Sequence, residues 1–241
     1  MSQTGRIGYD SDATRPAPTD DDIQHEIYEA IIEGRLTPGA KLGQDELGEV
    51  FGVSKTRIRP ILHRLAELRI VVFEPMRGAF VARPSVEEAR EVNAARQIVE
   101  EGVIRDATRR AKPRDLRRLR DLVAEESAAR ARGHVARAHR LTGEFHCEVA
   151  RITGNSVVAE LVRDLVSRDS LVVALYQKAT LEPCSLDGHA ALIDHIASGN
   201  EEAAAQAMRR HLQDVMASLD LGETAPLARP LRDAFRKDRP E

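Results

Sequence analysis

Lys55, Thr56, Arg57 and Arg59 crowd together immediately after Val53-Ser54, and Ile58, Ile61, Leu62 and Leu65 recur among and behind them at three- and four-residue steps. That spacing predicts a helix with a buried aliphatic stripe and a cationic first turn. Ser54 is a natural N-cap, since its hydroxyl can take an orphan backbone N–H. The preceding Leu47-Gly48-Glu49-Val50-Phe51-Gly52 reads as a shorter helix closed by a glycine turn, so the two make a helix-turn-helix. A helix entering the DNA major groove reads base edges with its N-terminal residues, where cations and a hydroxyl belong. Taken alone, a basic run is a solvated helix face. Its place at the start of the second helix favours double-stranded DNA.

Downstream, Ile70-Val71-Val72-Phe73 and Gly78-Ala79-Phe80-Val81 read as two short strands around Glu74-Pro75-Met76-Arg77, and a hairpin in that place is a wing. Its Arg77-Gly78 tip is cationic and flexible at the backbone, suited to a phosphate or the minor groove. From Val53 to Arg83 the basic residues Lys55, Arg57, Arg59, Arg64, Arg69, Arg77 and Arg83 face only Glu67 and Glu74. That local excess is what a phosphate backbone requires, although the whole chain carries a net charge of -3.

A second set of residues could do chemistry. His146 shares a helix face with Val149 and Ala150, one turn on from Thr142; His189 lines up with Leu192, Ile193 and Ile196; His211 lines up with Ala204, Ala207, Met208 and Val215. One such histidine is more simply a hydrogen-bonded core residue than a ligand. Three neutral imidazoles in one small bundle are less easily dismissed, because a divalent cation would satisfy them together. His139 lies two turns, about 10.5 Å, from His146 and is too far to share an ion, while His195 lies off the His189 face. Arg96 neighbours Ala95, Val99 and Val103, with Glu100 one turn on; by itself this is a surface ion pair worth about 0.2–0.5 kcal/mol.

The elements that must position these residues follow from the rest of the chain. The 241 residues are 42% hydrophobic and 31% charged but only 3% aromatic, so aliphatic side chains must build one or two helix-rich cores. Residues 1–19 are polar and aperiodic and read as a flexible arm. Asp20 to Asp22 can cap a first helix carrying Ile23, Ile27, Ala30 and Ile31. A short helix from Asp45 to Phe51 and one from Ser54 to about Leu68 come next, the latter with Pro60 inside it, where a bend is expected. Together with the hairpin these make a winged helix-turn-helix domain over 20–83. Arg83-Pro84-Ser85 closes that domain, and residues 85–221 read as an all-helical bundle with helices Val86 to Ala111, Pro113 to Arg132, Val135 to Thr153, Ser156 to Tyr176, Leu186 to Gly199 and Glu201 to Leu221. Residues 222–241 read as a disordered tail. Cys147 and Cys184 make no disulfide framework, nothing at the N-terminus resembles a signal peptide, and no apolar run would span a bilayer. The expected setting is cytoplasmic, with no membrane partner.

Leu36-Thr37-Pro38-Gly39-Ala40-Lys41-Leu42, Leu47 to Phe51, Gly52 to Arg59 and Arg77-Gly78-Ala79-Phe80-Val81 resemble, in order, the winged helix-turn-helix of GntR-family bacterial transcription regulators. The resemblance implies that Lys55 and Arg59 contact DNA, with Thr56 and Gly78 assisting. Lys55 replaces the arginine usual there and gives up bidentate geometry; Arg57 and Pro60 stand where proline and glutamate are common. Phe145-His146, Ile152-Thr153-Gly154-Asn155, His189, Gly199-Asn200 and His211-Leu212 resemble the FCD-type effector domain of the FadR subfamily. Such domains imply a metal held by an aspartate and three histidines, here His146, His189 and His211 with Thr142 in the aspartate's place, and an arginine, here Arg96, clamping a small carboxylate effector. Three outcomes stay open: a divalent metal such as zinc on three histidines plus water or effector, an anion bound by the histidines without metal, or packing alone.

These readings converge on a mainly α, homodimeric transcription regulator, a repressor by family habit, whose grip on a near-palindromic operator answers to a small organic acid. The rivals are a metal-dependent hydrolase using the three histidines, which lacks an evident general base, and a DNA-binding protein with a vestigial effector domain.

Overall fold

Aliphatic residues at helical spacing close three short helices on one another at the N-terminal end: α1 (Asp20–Ile32), α2 (Gln44–Phe51) and α3 (Lys55–Glu67). The computed structural model describes residues 18–176, 186–221 and 231–235, and the fold is mainly α. The Asp20 to Asp22 run was expected to cap α1, but the cap is Thr19. Its hydroxyl accepts from the Asp22 backbone N–H at 3.1 Å, and the Asp22 carboxylate accepts from the Thr19 N–H at 2.9 Å, a reciprocal capping box. Ile23, Ile27, Ala30 and Ile31 on α1 meet Ile58, Ile61, Leu62 and Leu65 on α3, all fully buried. Each such side chain contributes about 1.5–3 kcal/mol by leaving water.

The turn between α2 and α3 has no slack. Gly52 takes the left-handed conformation (φ 66°), and its N–H bonds the Gly48 carbonyl. Gly48 itself is buried, and a Cβ there would lie 2.7 Å from the Val53 carbonyl oxygen. Gly48→Ala is therefore expected to destabilise the chain by about 1–3 kcal/mol, because the obstacle is backbone rather than a pliable side chain. A chemical-denaturation midpoint equal to that of the parent chain would contradict so close an approach. Ser54 occupies the N-cap position of α3, but its hydroxyl pairs with that of Thr56 (2.8 Å) and caps no backbone N–H, which corrects the sequence reading.

The hairpin is β1 (Val71–Glu74) paired antiparallel with β2 (Gly78–Val81), in register Val71↔Val81 through Glu74↔Gly78. Ile70, expected to start the first strand, precedes it. The segment Gly39 to Leu42 lies along the other edge of β2, through Gly39 N to Val81 O (2.9 Å) and Leu42 N to Ala79 O (2.8 Å). The inner face buries Ala79 and Val81, while Val72 and Phe73 stay exposed.

Ser85 then caps α4 (Val86–Arg110), its hydroxyl accepting from the Glu88 N–H at 3.0 Å. Five further helices complete the bundle: α5 (Pro113–Ala131), α6 (Val135–Ile152), α7 (Ser156–Tyr176), α8 (Leu186–Ser198) and α9 (Glu201–Ala217). The last stops at Ala217, short of the expected Leu221. α4 packs on α6, α7, α8 and α9, and α5 on α6 and α8. The common core includes Ile104, Leu119, Phe145, Val162, Leu192, Met208 and Leu212, all fully buried.

One stretch of the expected tail is ordered, which is a correction. Leu231 to Ala234 form a short helix, α10, with Leu231 and Ala234 buried in the N-terminal core and Phe235 edge-on to Phe51 at 5.1 Å between ring centroids. The Ala234 carbonyl accepts from Arg35 Nη1 at 2.6 Å. Leu231, Ala234 and Phe235 repeat at helical spacing inside a charged segment whose composition hid them. The rest of the arm and tail, and Cys184, lie outside the described residues. No helix among the described residues is long and apolar enough to cross a membrane.

Candidate functional site

Two regions concentrate the residues singled out above. On the N-terminal domain, Lys55, Thr56 and Arg59 are exposed along the start of α3. Among the described residues Lys55 is tethered only by a solvated contact with Asp45 at 3.3 Å, worth about 0–1 kcal/mol and easily surrendered to a phosphate. Arg59 makes no hydrogen bond or ion pair among the described residues. Arg57 differs from its expected part. It is half-buried, donating to the Pro18 carbonyl (2.6 Å) and to the Asp20 carboxylate, so it ties α3 to the start of α1 instead of facing outward. At the wing, Gly78 has φ 101°, and Arg77 pairs with Glu74 and lies 5.1 Å over the Phe80 ring. His63, exposed on α3, stacks on Phe73 at 4.3 Å and so joins helix to wing.

The second region is the middle of the bundle, where His146 of α6, His189 of α8 and His211 of α9 converge, all buried. One ligand nitrogen from each lies within 4.8 Å of the others. Their ring centroids are 4.7 to 5.4 Å apart, and Phe145 stacks on His189 at 4.3 Å. Carboxylates set the outward nitrogens: Glu100 Oε2 lies 2.6 Å from His146 Nδ1 and Glu126 Oε2 lies 3.0 Å from His189 Nδ1. The inward nitrogens remain. His146 Nε2 and His211 Nε2 are 3.4 Å apart, and His189 Nε2 is buried without a hydrogen-bond partner among the described residues. A tetrahedral zinc with Zn–N distances of about 2.0–2.1 Å needs nitrogens roughly 3.3–3.4 Å apart; the His146–His211 pair has that spacing, and His189 lies within 4.8 Å of both. An imidazole backed by a carboxylate at Nδ1, as His146 and His189 both are, is also the donor chemistry that metal sites use.

Charge in the centre is balanced tightly. Arg96 and Glu100 do pair (2.6 Å), but both are buried, so the surface pair considered from sequence does not exist; Arg96 also reaches Asp169 of α7. Burial pushes the Glu100 carboxyl up, yet Arg96 and His146 outweigh it and hold it at about 2. Glu126 likewise is raised by burial and brought down to about 2 by His189, Thr142 and Arg130. Burial raises Asp169 in spite of Arg96. Thr142 is half-buried, with its hydroxyl 2.7 Å from Glu126 Oε1. A cavity of ≈ 40 Å³ opens beside the histidines, lined among others by Arg96, Arg130, Thr142, His146, Asp169 and His211. His139 lines it too but stands outside the three-histidine group, and half-buried His195 does not line it. The space suits an ion with a few waters; a larger guest requires the helices to part.

Acid should loosen this centre. Burial holds His211 well below its ordinary 6.5 and lowers His189 as well. The unfolded chain protonates both near 6.5 while the folded chain keeps them neutral, so below that pH the unfolded state binds more protons. The stability these groups provide is full above pH 6.5 and drains away below it. Asp169, raised by burial, offsets part of the loss at the acid end, and Glu100 and Glu126 matter only below their unfolded 4.5. The metal-free chain is thus expected to melt at lower temperature at pH 5 than at pH 7. A flat melting profile over that interval would contradict neutral buried imidazoles.

Sequence reasoning brought the three histidines, Arg96 and Thr142 to one place but missed Glu126, Arg130 and Asp169. The signal was present. Leu119, Leu122, Glu126 and Ala129 form the buried stripe of α5, and Val162, Leu165, Val166, Asp169 and Val172 that of α7, so each carboxylate interrupts an apolar face.

Comparison with known proteins agrees with this two-part layout. The family model for bacterial regulatory proteins of the gntR family matches residues 19–81, and the FCD domain model matches residues 91–214. The HTH-type transcriptional regulator LutR of Bacillus subtilis (strain 168) is 25% identical over 207 residues, spanning 77% of this chain and 94% of its own. The HTH-type transcriptional repressor RspR of Escherichia coli (strain K12) is 22% identical over 203 residues, spanning 84% and 89%. Among solved structures, a transcriptional regulator described as GntR from Rhodococcus sp. RHA1 superposes with a TM-score of 0.68 at 26% identity, covering 82% of this chain and 95% of that one. E. coli McbR/YncC matches with the same TM-score and coverage at 19% identity and shares the fold. These relatives are regulators of transcription, which removes the hydrolase reading.

Proposed function

Because this chain belongs to the GntR family of bacterial regulatory proteins and carries an FCD domain, we propose that it is a cytoplasmic, homodimeric repressor whose operator affinity is set by a small organic acid bound beside a metal at His146, His189 and His211. Family membership makes it a DNA-binding transcription regulator; the repressor role, effector and metal are our reading. The observation that carries it is the convergence of three buried imidazoles next to buried Arg96 and a cavity, in the FCD domain. When bound, a divalent ion such as zinc supplies a Lewis-acidic positive charge that an effector carboxylate can meet. Arg96, which lines the cavity while paired with Glu100 and Asp169, is the second cation we assign to the same carboxylate.

Lys55, Thr56 and Arg59 are the residues we assign to DNA on α3, with Arg77 and Gly78 at the wing approaching the backbone. Arg57 is assigned to hold α3 against α1. Homodimerisation is supported by exposed apolar side chains on two helices packed together: Ile98 on α4 (79% exposed) and Val157 on α7 (72% exposed). A second copy packed against those side chains would place two recognition helices on a two-fold operator. The name of the relative RspR supports repression.

Effector control requires only that the acid bind one arrangement of the domains better than another. A coupling of about 1–3 kcal/mol changes operator affinity roughly 5–150-fold. The test is an anisotropy titration of an operator duplex, selected from genomic fragments by the zinc-loaded chain, against a panel of small mono- and dicarboxylates. At least one acid is expected to release DNA; an affinity that no acid alters would leave a constitutive DNA-binding protein instead.

A further inference from the structure

The buried charges around the three histidines form two relays of the same make. On α4, Arg96 donates to Glu100 Oε1 (2.6 Å) while Oε2 meets His146 Nδ1 (2.6 Å). On α5, Arg130 donates to Glu126 Oε1 (2.7 Å) while Oε2 meets His189 Nδ1 (3.0 Å). Arginine and carboxylate are one helical turn apart in both, and both arginines line the same cavity. Glu126 has a further partner: the Thr142 hydroxyl, 2.7 Å from Oε1 and 3.1 Å from the Ala138 carbonyl.

We infer that Glu126 is a positioning residue for a metal at the three histidines, acting through His189, and that Thr142 is not a ligand. The inference rests on the metal reading proposed above. A carboxylate at Nδ1 holds the proton on that nitrogen, so the lone pair of His189 is at Nε2. That atom is the one that is buried and without a hydrogen-bond partner among the described residues. The single Thr142 proton is directed at Glu126 or the Ala138 carbonyl, and Arg130 Nη2 approaches the same oxygen at 3.3 Å. Thr142 is thereby engaged in holding Glu126. Held by three protein nitrogens from the described residues, an ion would have a coordination position left for water or an anion from the cavity. Removing a carboxylate from behind a ligating imidazole typically weakens metal binding 10–100-fold.

The full-length chain, stripped of metal and titrated with Zn²⁺ alone against a chromophoric chelator, tests this. Glu126→Gln, which keeps the shape and removes the charge, is expected to weaken Zn²⁺ binding by about 10–100-fold. Thr142→Val is expected to stay within about fivefold of wild type, because Arg130 and His189 still hold the Glu126 carboxylate. Circular dichroism of the metal-free variants separates a lost fold from a lost site. Should Glu126→Gln not fold, long-range ¹⁵N–¹H spectra of the wild-type chain decide: a proton on His189 Nδ1 supports the assignment, and one on Nε2 overturns it. Equal Zn²⁺ affinity in a folded Glu126→Gln, or a loss in Thr142→Val as large as in His189→Ala, would also overturn it while sparing the metal reading. A wild-type chain that takes up no Zn²⁺ brings down both.

Discussion

Replacing His189 by alanine is expected to abolish stoichiometric metal uptake, lowering Zn²⁺ affinity by more than about 100-fold, beyond the effect of an outer-shell change. His189 is fully buried, stacks on Phe145 and lies beside the rings of His146 and His211. The two remaining imidazoles cannot close a three-ligand site, and Glu126 loses its partner. The substitution also opens a cavity, so a stability loss of about 2–4 kcal/mol should accompany it. Two measurements separate these effects: metal per chain by elemental analysis, and the melting curve of the metal-free protein. Operator binding without effector should persist, because α3 belongs to a core distinct from the one around Phe145, built on α1, α2, the hairpin, α10 and Leu171 of α7. Release of DNA by acid should be lost. A His189→Ala chain that still carried one metal per protomer would refute the assignment of the centre.

Arg59→Ala is expected to weaken operator binding by roughly 5–150-fold, corresponding to the loss of about 1–3 kcal/mol for a side chain contacting a base edge. Arg59 is exposed and makes no hydrogen bond or ion pair among the described residues, so the folded domain loses little, within about ±0.5 kcal/mol. Arg57 gives the contrast. Its guanidinium spans from α3 to Pro18 and Asp20, so Arg57→Ala should loosen the seating of α3 on α1 and lower stability before it alters sequence preference. Operator affinity unchanged in Arg59→Ala, measured with the Gly48→Ala and Arg57→Ala chains as stability controls, would show that the first turn of α3 does not read DNA.

Residues whose roles follow from periodicity were legible in the sequence. The stripe Ile58, Ile61, Leu62 and Leu65 and the faces carrying His146, His189 and His211 emerged from three- and four-residue spacing alone. Helix ends were legible where a capping residue stands beside a proline, as at Ser85. Pairings between distant segments were not. Arg57 looks like a base reader until Asp20, far back in the chain, is brought against it. Ser54 satisfies the composition rule for a cap, yet its hydroxyl prefers Thr56. Glu126 and Asp169 sit among other charged residues, and only their helix faces mark them as buried. The order at Leu231 to Phe235 depends on an apolar slot beside Phe51 that no local pattern announces.

The proposed control is a single coupling, between the three-histidine centre of the bundle and the grip of α3 on DNA. It is measured most directly by the operator affinity of one preparation, zinc-loaded and zinc-stripped, across the carboxylate panel. The account predicts that an acid lowers the affinity of the loaded chain by at least about fivefold and leaves the stripped chain and His189→Ala unmoved. An identical response from loaded, stripped and His189→Ala protein would contradict it.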